Sequence, residues 1–118
     1  MKTEKEILEN LCFFTGSEHM YLHPFGIKFS DGVKYLAESA EMWWYVDLVA
    51  SYQHEPKVKS ESFQVFKLIV DEDKTAIVEI SDGNNNILMK QKIEFTDTPL
   101  KEVVLWCIDK ICILPTEY

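Results

Sequence analysis

Trp43-Trp44-Tyr45-Val46-Asp47-Leu48-Val49-Ala50-Ser51-Tyr52-Gln53 is the stretch on which the fold turns. Wound as a helix, it leaves hardly any polar side, and a helix that is apolar nearly all round has to be covered on most faces. The segment therefore reads as the central helix of the molecule. Its cover has to come from the rest of a 118-residue chain, of which 47% is hydrophobic. That is material for one core and for a single domain over residues 1–118.

Downstream, the period changes. After Pro56 and the loop lysines Lys57 and Lys59, Phe63 to Val70 is rich in β-branched and aromatic residues, and Asp71-Glu72-Asp73 breaks it. Thr75 to Ile80 alternates, with Ala76, Val78 and Ile80 on one side. Asp82-Gly83-Asn84 is a hairpin signal, because each of these residues tolerates positive φ at modest cost. On the return strand Ile87, Met89, Ile93 and Phe95 are expected to share the dry face, while Lys67, Glu79, Lys90, Lys92 and Glu94 suit the wet one. The segment after Thr98-Pro99 has two readings. Leu100, Val103, Val104, Cys107, Ile108 and Ile111 fit a helical stripe, but most are β-branched, and a hairpin turning at Asp109-Lys110 would bury them equally well. The hairpin is favoured, since five strands cover the tryptophan helix better than three.

Upstream, Thr3 and Glu6 have the spacing of a capping box, and Ile7, Leu8, Leu11 and Cys12 continue as one apolar stripe that Thr15-Gly16-Ser17 ends. Glu18 to Phe29 shows no clean period and reads as irregular, with a short strand over Ile27 to Phe29. Asp31 is the expected cap of a helix over Gly32 to Ala40 that turns Val33, Leu36 and Ala37 inward. The fold class is α+β: N-terminal helices packed on one face of a mainly antiparallel sheet of 4–6 strands. The other sheet face is left to solvent, a twin or a partner.

Composition narrows the function. Twenty acids against twelve bases give a net charge of −8, and every base is lysine. Without arginine the chain lacks the planar fork that best grips phosphate, and its charge balance opposes counterion release from nucleic acid. Apolar runs such as Ile111 to Leu114 fall short of the roughly 20 residues of a membrane span. Met1-Lys2-Thr3-Glu4 has no charged-then-apolar leader pattern, and three cysteines without metal spacing point to a reducing cytoplasm. Neither nucleic acid nor membrane is expected as a partner.

The residues that could carry chemistry cluster on the central helix. Asp47, Ser51 and His54 fall within about 60° of one another at 100° per residue. A carboxylate buried there would need a partner. Either the stripe lines a pocket in which Asp47 or His54 moves protons, or Asp47 ties down a loop amide or a lysine; the structural reading is favoured. A hydrolase triad is excluded by order, because Ser51 lies between Asp47 and His54 where the imidazole would have to be. The wider candidate pocket adds His23, Trp44 and Tyr52. Trp43 and Trp44 point about 100° apart and cannot face one site. His19 and His23 have a spacing that serves zinc only on a helix, and no third ligand accompanies them, so neither a metal nor a cofactor is expected. Should the hairpin form, Ile108 pairs with Ile111 and Cys107 lies opposite Cys112, either as two apolar core residues or as a redox pair.

Several phrases in fixed order carry a resemblance. They are His23-Pro24-Phe25-Gly26, Ser30-Asp31-Gly32-Val33-Lys34-Tyr35-Leu36-Ala37-Glu38, Ala50-Ser51-Tyr52-Gln53, Phe63-Gln64-Val65-Phe66, Thr96-Asp97-Thr98-Pro99-Leu100 and Leu114-Pro115-Thr116-Glu117-Tyr118. In these the chain resembles a family of small bacterial proteins of unknown function, which implies no catalytic residue. The resemblance also implies a tight turn at Asp109-Lys110, where members carry Asp-Gly. The functional expectation is a non-enzymatic interaction or regulatory module that binds another protein or a second copy of itself. The alternative is a small-ligand or enzymatic site beside the central helix using Asp47, Ser51 and His54.

Overall fold

A computed structural model describes residues 3–15 and 19–118. The chain runs α1 (Glu4–Leu11), β1 (Met20–Leu22), β2 (Lys28–Ser30), α2 (Asp31–Ser39), α3 (Trp43–Tyr52), α4 (Pro56–Lys59), β3 (Phe63–Val70), β4 (Ala76–Ser81), β5 (Ile87–Ile93), β6 (Glu102–Ile108) and β7 (Ile111–Ile113), and closes on a 3-10 turn, Pro115–Glu117. Residues 63–70 alternate between buried and partly exposed positions along their length, as a strand with one covered face must. The buried alternates Phe66, Leu68, Val78, Ile80, Val103 and Leu105 share one core with Tyr45, Val46, Val49 and Ala50 of α3 and with Val33, Leu36 and Ala37 of α2. The architecture is α+β, with the tryptophan helix lying over the sheet.

The sheet is larger than expected. It holds seven strands in the order β1-β2-β7-β6-β3-β4-β5, and β2 runs parallel to β7, with Lys28 opposite Ile111 and Phe29 opposite Cys112. The expected count of 4–6 is therefore corrected, and the sheet is mixed. The unexpected strand is β1, in the segment read as irregular, while β2 takes the place of the short strand expected over Ile27 to Phe29, shifted by one residue. β1 and β2 are three residues each, too short to express a period, and they pair across a turn in which the His23 amide bonds to the Ile27 carbonyl at 2.8 Å. The expected stop of α1 at Thr15-Gly16-Ser17 and the Glu18 start of the irregular segment fall partly outside the described residues; α1 itself ends at Leu11. Thr3 does cap it, accepting from the Glu6 amide.

The C-terminal ambiguity resolves to the hairpin. Ile108 pairs with Ile111 and Cys107 with Cys112. Asp109 and Lys110 both take positive φ, at 51° and 67°. That is the twist a two-residue turn needs, even though lysine suits it less well than glycine. The β4–β5 turn is built by Gly83 at φ 85° and by Asp82, whose carboxylate accepts from the amides of Asn84 and Asn86. β5 keeps Met89 and Ile93 on the core as expected, but departs from the expected face at Ile87. Ser81 pairs with Ile87 but Ile80 with Met89, so Leu88 is an extra residue. This bulge packs both Leu88 and Met89 on the core and turns Ile87 outward. Phe95, beyond the strand end, is also exposed. Residues 56–59, read as loop, form the one-turn helix α4, with Pro56 at its start.

Polar welds tie the elements together. Ser30, not Asp31, caps α2, its hydroxyl accepting from the Val33 amide. The same hydroxyl donates to Glu117, whose carboxylate also accepts from the amides of Leu114 and Gly32. A Cβ at Gly32 would lie 2.6 Å from both Glu117 Oε1 and Leu114 Cδ1, so any other residue there would push these two side-chain ends aside. Deeper in, Gln53 and Gln64 exchange amide hydrogen bonds at 2.6 and 3.1 Å, and Gln64 Nε2 also reaches the carbonyls of Val58 and Glu61. Both glutamines are buried. Either side chain alone would leave the other's donors and acceptor unmatched away from water. Gln64→Leu should therefore cost about 1–3 kcal/mol. The double variant with Gln53→Leu should recover part of that loss, as urea unfolding across the four-member cycle would report.

Candidate functional site

The predicted stripe of α3 exists but does not line a pocket as a unit; of its three residues only Asp47 borders a cleft. Asp47, Ser51 and His54 are all exposed, on the solvent side that Trp43 begins. Ser51 Oγ donates to its own helix, to the Leu48 carbonyl at 2.8 Å, as hydroxyls on helices commonly do. Tyr52 is half-buried and its hydroxyl meets Gln91 of β5, while Trp44 is half-buried beside Tyr45 on a separate hollow near Phe95. The two indoles thus open onto different places, as their angular separation requires. Of the six candidate pocket residues, the fold brings together only His23 and Asp47. His19 shares no helical face with His23, because Met20–Leu22 between them is strand. Among the described residues no three His, Cys, Asp or Glu side chains converge.

The pair that does form is specific. The β1–β2 turn carries His23 inward, where it is buried, and Nε2 lies 2.6 Å from Asp47 Oδ1. Nδ1 accepts the Phe25 backbone N–H at 3.0 Å. A ring nitrogen that accepts carries no proton, so the ring proton sits on Nε2 and is donated to Asp47. In this arrangement the imidazole is neutral and the pair keeps the single negative charge of the carboxylate. Both nitrogens are committed, which leaves none to take or give a proton to a substrate. The burial expected for Asp47 is corrected: its side chain is 59% exposed, and among the described residues no hydrogen bond engages its second oxygen. The expected tie to a loop is met by an imidazole, not by an amide or a lysine.

Around the pair lies a cleft of about 380 Å³ lined by Leu22, Pro24, Phe25, Phe29 and Trp43 as well as His23 and Asp47. Leu22 is 73% exposed, Phe25 55% and Trp43 40%. Phe29 supports Trp43 edge-on at a centroid distance of 5.6 Å, and His23 holds Phe25 at 5.1 Å. Sequence inspection did not find Leu22, Phe25 or Phe29, because they come from the short hairpin that had no readable period. The turn phrase His23-Pro24-Phe25-Gly26 was the available signal.

Behind the cleft, Cys107 and Cys112 face each other as unbonded thiols in the core, beside Tyr45. Burial pushes the Cys107 thiol up to about 12 and raises Cys112 and Tyr45 in the same direction. Tyr45 Oη is buried without a hydrogen-bond partner among the described residues. The two cysteines are cross-strand partners, but thiols held protonated are poor nucleophiles. A model of a family of unknown function (DUF6876) matches residues 5–118 of the chain. No curated protein and no solved structure matches it.

Groups that hold their protons more tightly when folded lend stability below their unfolded pKa and lose it as pH climbs toward the folded value. Stability should hold to about pH 9 and then fall, by about 1.4 kcal/mol per unit for each titrating group. Tyr45→Phe should flatten that fall in urea unfolding while leaving neutral-pH stability unchanged or higher. At the cleft, Asp47→Asn keeps an acceptor for His23 and should change the melting point little. Asp47→Ala should cost about 1 kcal/mol, and His23→Ala, which empties a buried site, about 2–3 kcal/mol.

Proposed function

The chain belongs to the DUF6876 family, which offers no activity to transfer, and we propose from the cleft geometry that it is a non-enzymatic protein-interaction module. The observation that carries this reading is the pinned aromatic rim: Leu22, Phe25 and Trp43 stand exposed together around an imidazole whose two nitrogens are already engaged. An exposed tryptophan on a rigid support, flanked by further apolar side chains, is the kind of anchor on which interface hot spots centre. These side chains lose little freedom on binding, because the His23–Asp47 bond and the Phe29 ring hold them beforehand. The partner is another protein, met in the cytoplasm of a bacterial cell; the three free thiols suit that setting. No specific observation favours the alternative of a reaction at Asp47, Ser51 and His54, whose side chains do not converge.

A photo-reactive phenylalanine analogue at Phe25, introduced in the native host, tests the reading. It should give one heteromeric adduct of defined mass that the same analogue at Asn85 does not give. Once the captured protein is purified, Trp43→Ala should weaken its binding by about tenfold or more. Absence of an adduct from position 25, or an adduct of twice the chain's own mass, would overturn it.

A further inference from the structure

Resting on that reading, we infer that the partner seats an arginine side chain in the cleft, between the aromatic rim and the Asp47 carboxylate. Three rings, Phe25, Phe29 and Trp43, line a space that holds one charged group. That group is an anion with an uncommitted oxygen, since Oδ1 serves His23 and no other hydrogen bond reaches Asp47 among the described residues. Aromatic faces attract cations through the ring quadrupole, and a carboxylate at the edge of such a group fixes where the positive charge sits. The neutral form of His23 matters here. An imidazolium would cancel the carboxylate and could not accept the Phe25 amide, so the observed hydrogen bond keeps the site net negative.

The guanidinium is the cation that fits both halves of the site. It is flat enough to lie on a ring, weakly hydrated, and able to donate in its plane to the open carboxylate oxygen. A lysine ammonium would meet the charge but stack poorly. The chain's own charge points the same way: at −8, with no arginine of its own, it attracts basic segments at long range and cannot fill the cleft from a second copy with an arginine. Charge complementarity therefore selects a foreign basic segment over self-association.

The test uses the whole protein and a capped pentapeptide with a central arginine flanked by glycines, against the same peptide carrying citrulline, its neutral isostere. The Trp43 indole N–H signal should move in a saturable way with the arginine peptide and respond about tenfold more weakly to citrulline. A lysine peptide should fall between the two. Asp47→Asn, which keeps the His23 hydrogen bond and so the fold, should abolish the arginine–citrulline difference. Equal responses to both peptides, or a preference that survives Asp47→Asn, would overturn the inference. The Phe25 adduct would then stand or fall by itself, because cross-linking does not depend on which side chain enters the cleft.

Discussion

A helix that is apolar over most of its circumference has to be covered on those faces, and this requirement organises the molecule. Tyr45, Val46, Val49 and Ala50 of α3 are almost completely removed from water. The meander of residues 63–93 supplies part of the cover. The β6–β7 hairpin extends it, and β7 then offers a parallel edge to β2, which draws the N-terminal hairpin into the same sheet. The N-terminal hairpin is thereby placed beside the exposed end of α3. The cleft is where that hairpin meets the N-terminal half of the helix.

Polar groups then select one arrangement among the many that would bury the same area. The Gln53–Gln64 exchange holds the end of α3 on β3, and Glu117 clasps the start of α2 over Gly32. The His23–Asp47 bond fixes the hairpin turn to α3. These contacts are worth little each in net energy, yet leaving any one half-made inside the protein is costly, so they specify more than they stabilise. Tyr45 is the exception, a buried hydroxyl left unmatched among the described residues, and the packing around its ring has to outweigh it.

The two faces of the sheet have different fates. The inner face is core. The outer face carries the ion pairs Lys67–Glu102 and Lys90–Glu79 and an aromatic trio of Phe63, Trp106 and Tyr118 with ring contacts of 5.2–6.2 Å. Exposed pairs of this kind keep a sheet face wet at little energetic gain. Against that mixed face the cleft at the opposite side stands out, because its rim is apolar, held in place and centred on one unneutralised acid. The interaction reading follows from that contrast, and the chemistry of the entering group follows from the rings and the acid together.

The central helix, the alternating strands from Phe63 onward, the hairpin facing Cys107 with Cys112 and the α+β class were legible in the residues themselves. Period and turn chemistry are local properties that a long element states repeatedly. That Asp47, Ser51 and His54 share one side of the helix was legible for the same reason, but their exposure to solvent was not. What needed the tertiary structure was everything carried by short or distant pieces. Three-residue strands have no period, the Leu88 bulge reverses a face without changing composition, and Ser30 displaced Asp31 as cap because Glu117, distant along the chain, anchors its hydroxyl. The site belongs to this second group. Nothing in the chain order joins His23 to Asp47, and only the closing of the sheet, which places the hairpin turn against α3, turns a lone histidine and a surface aspartate into one fixed pair.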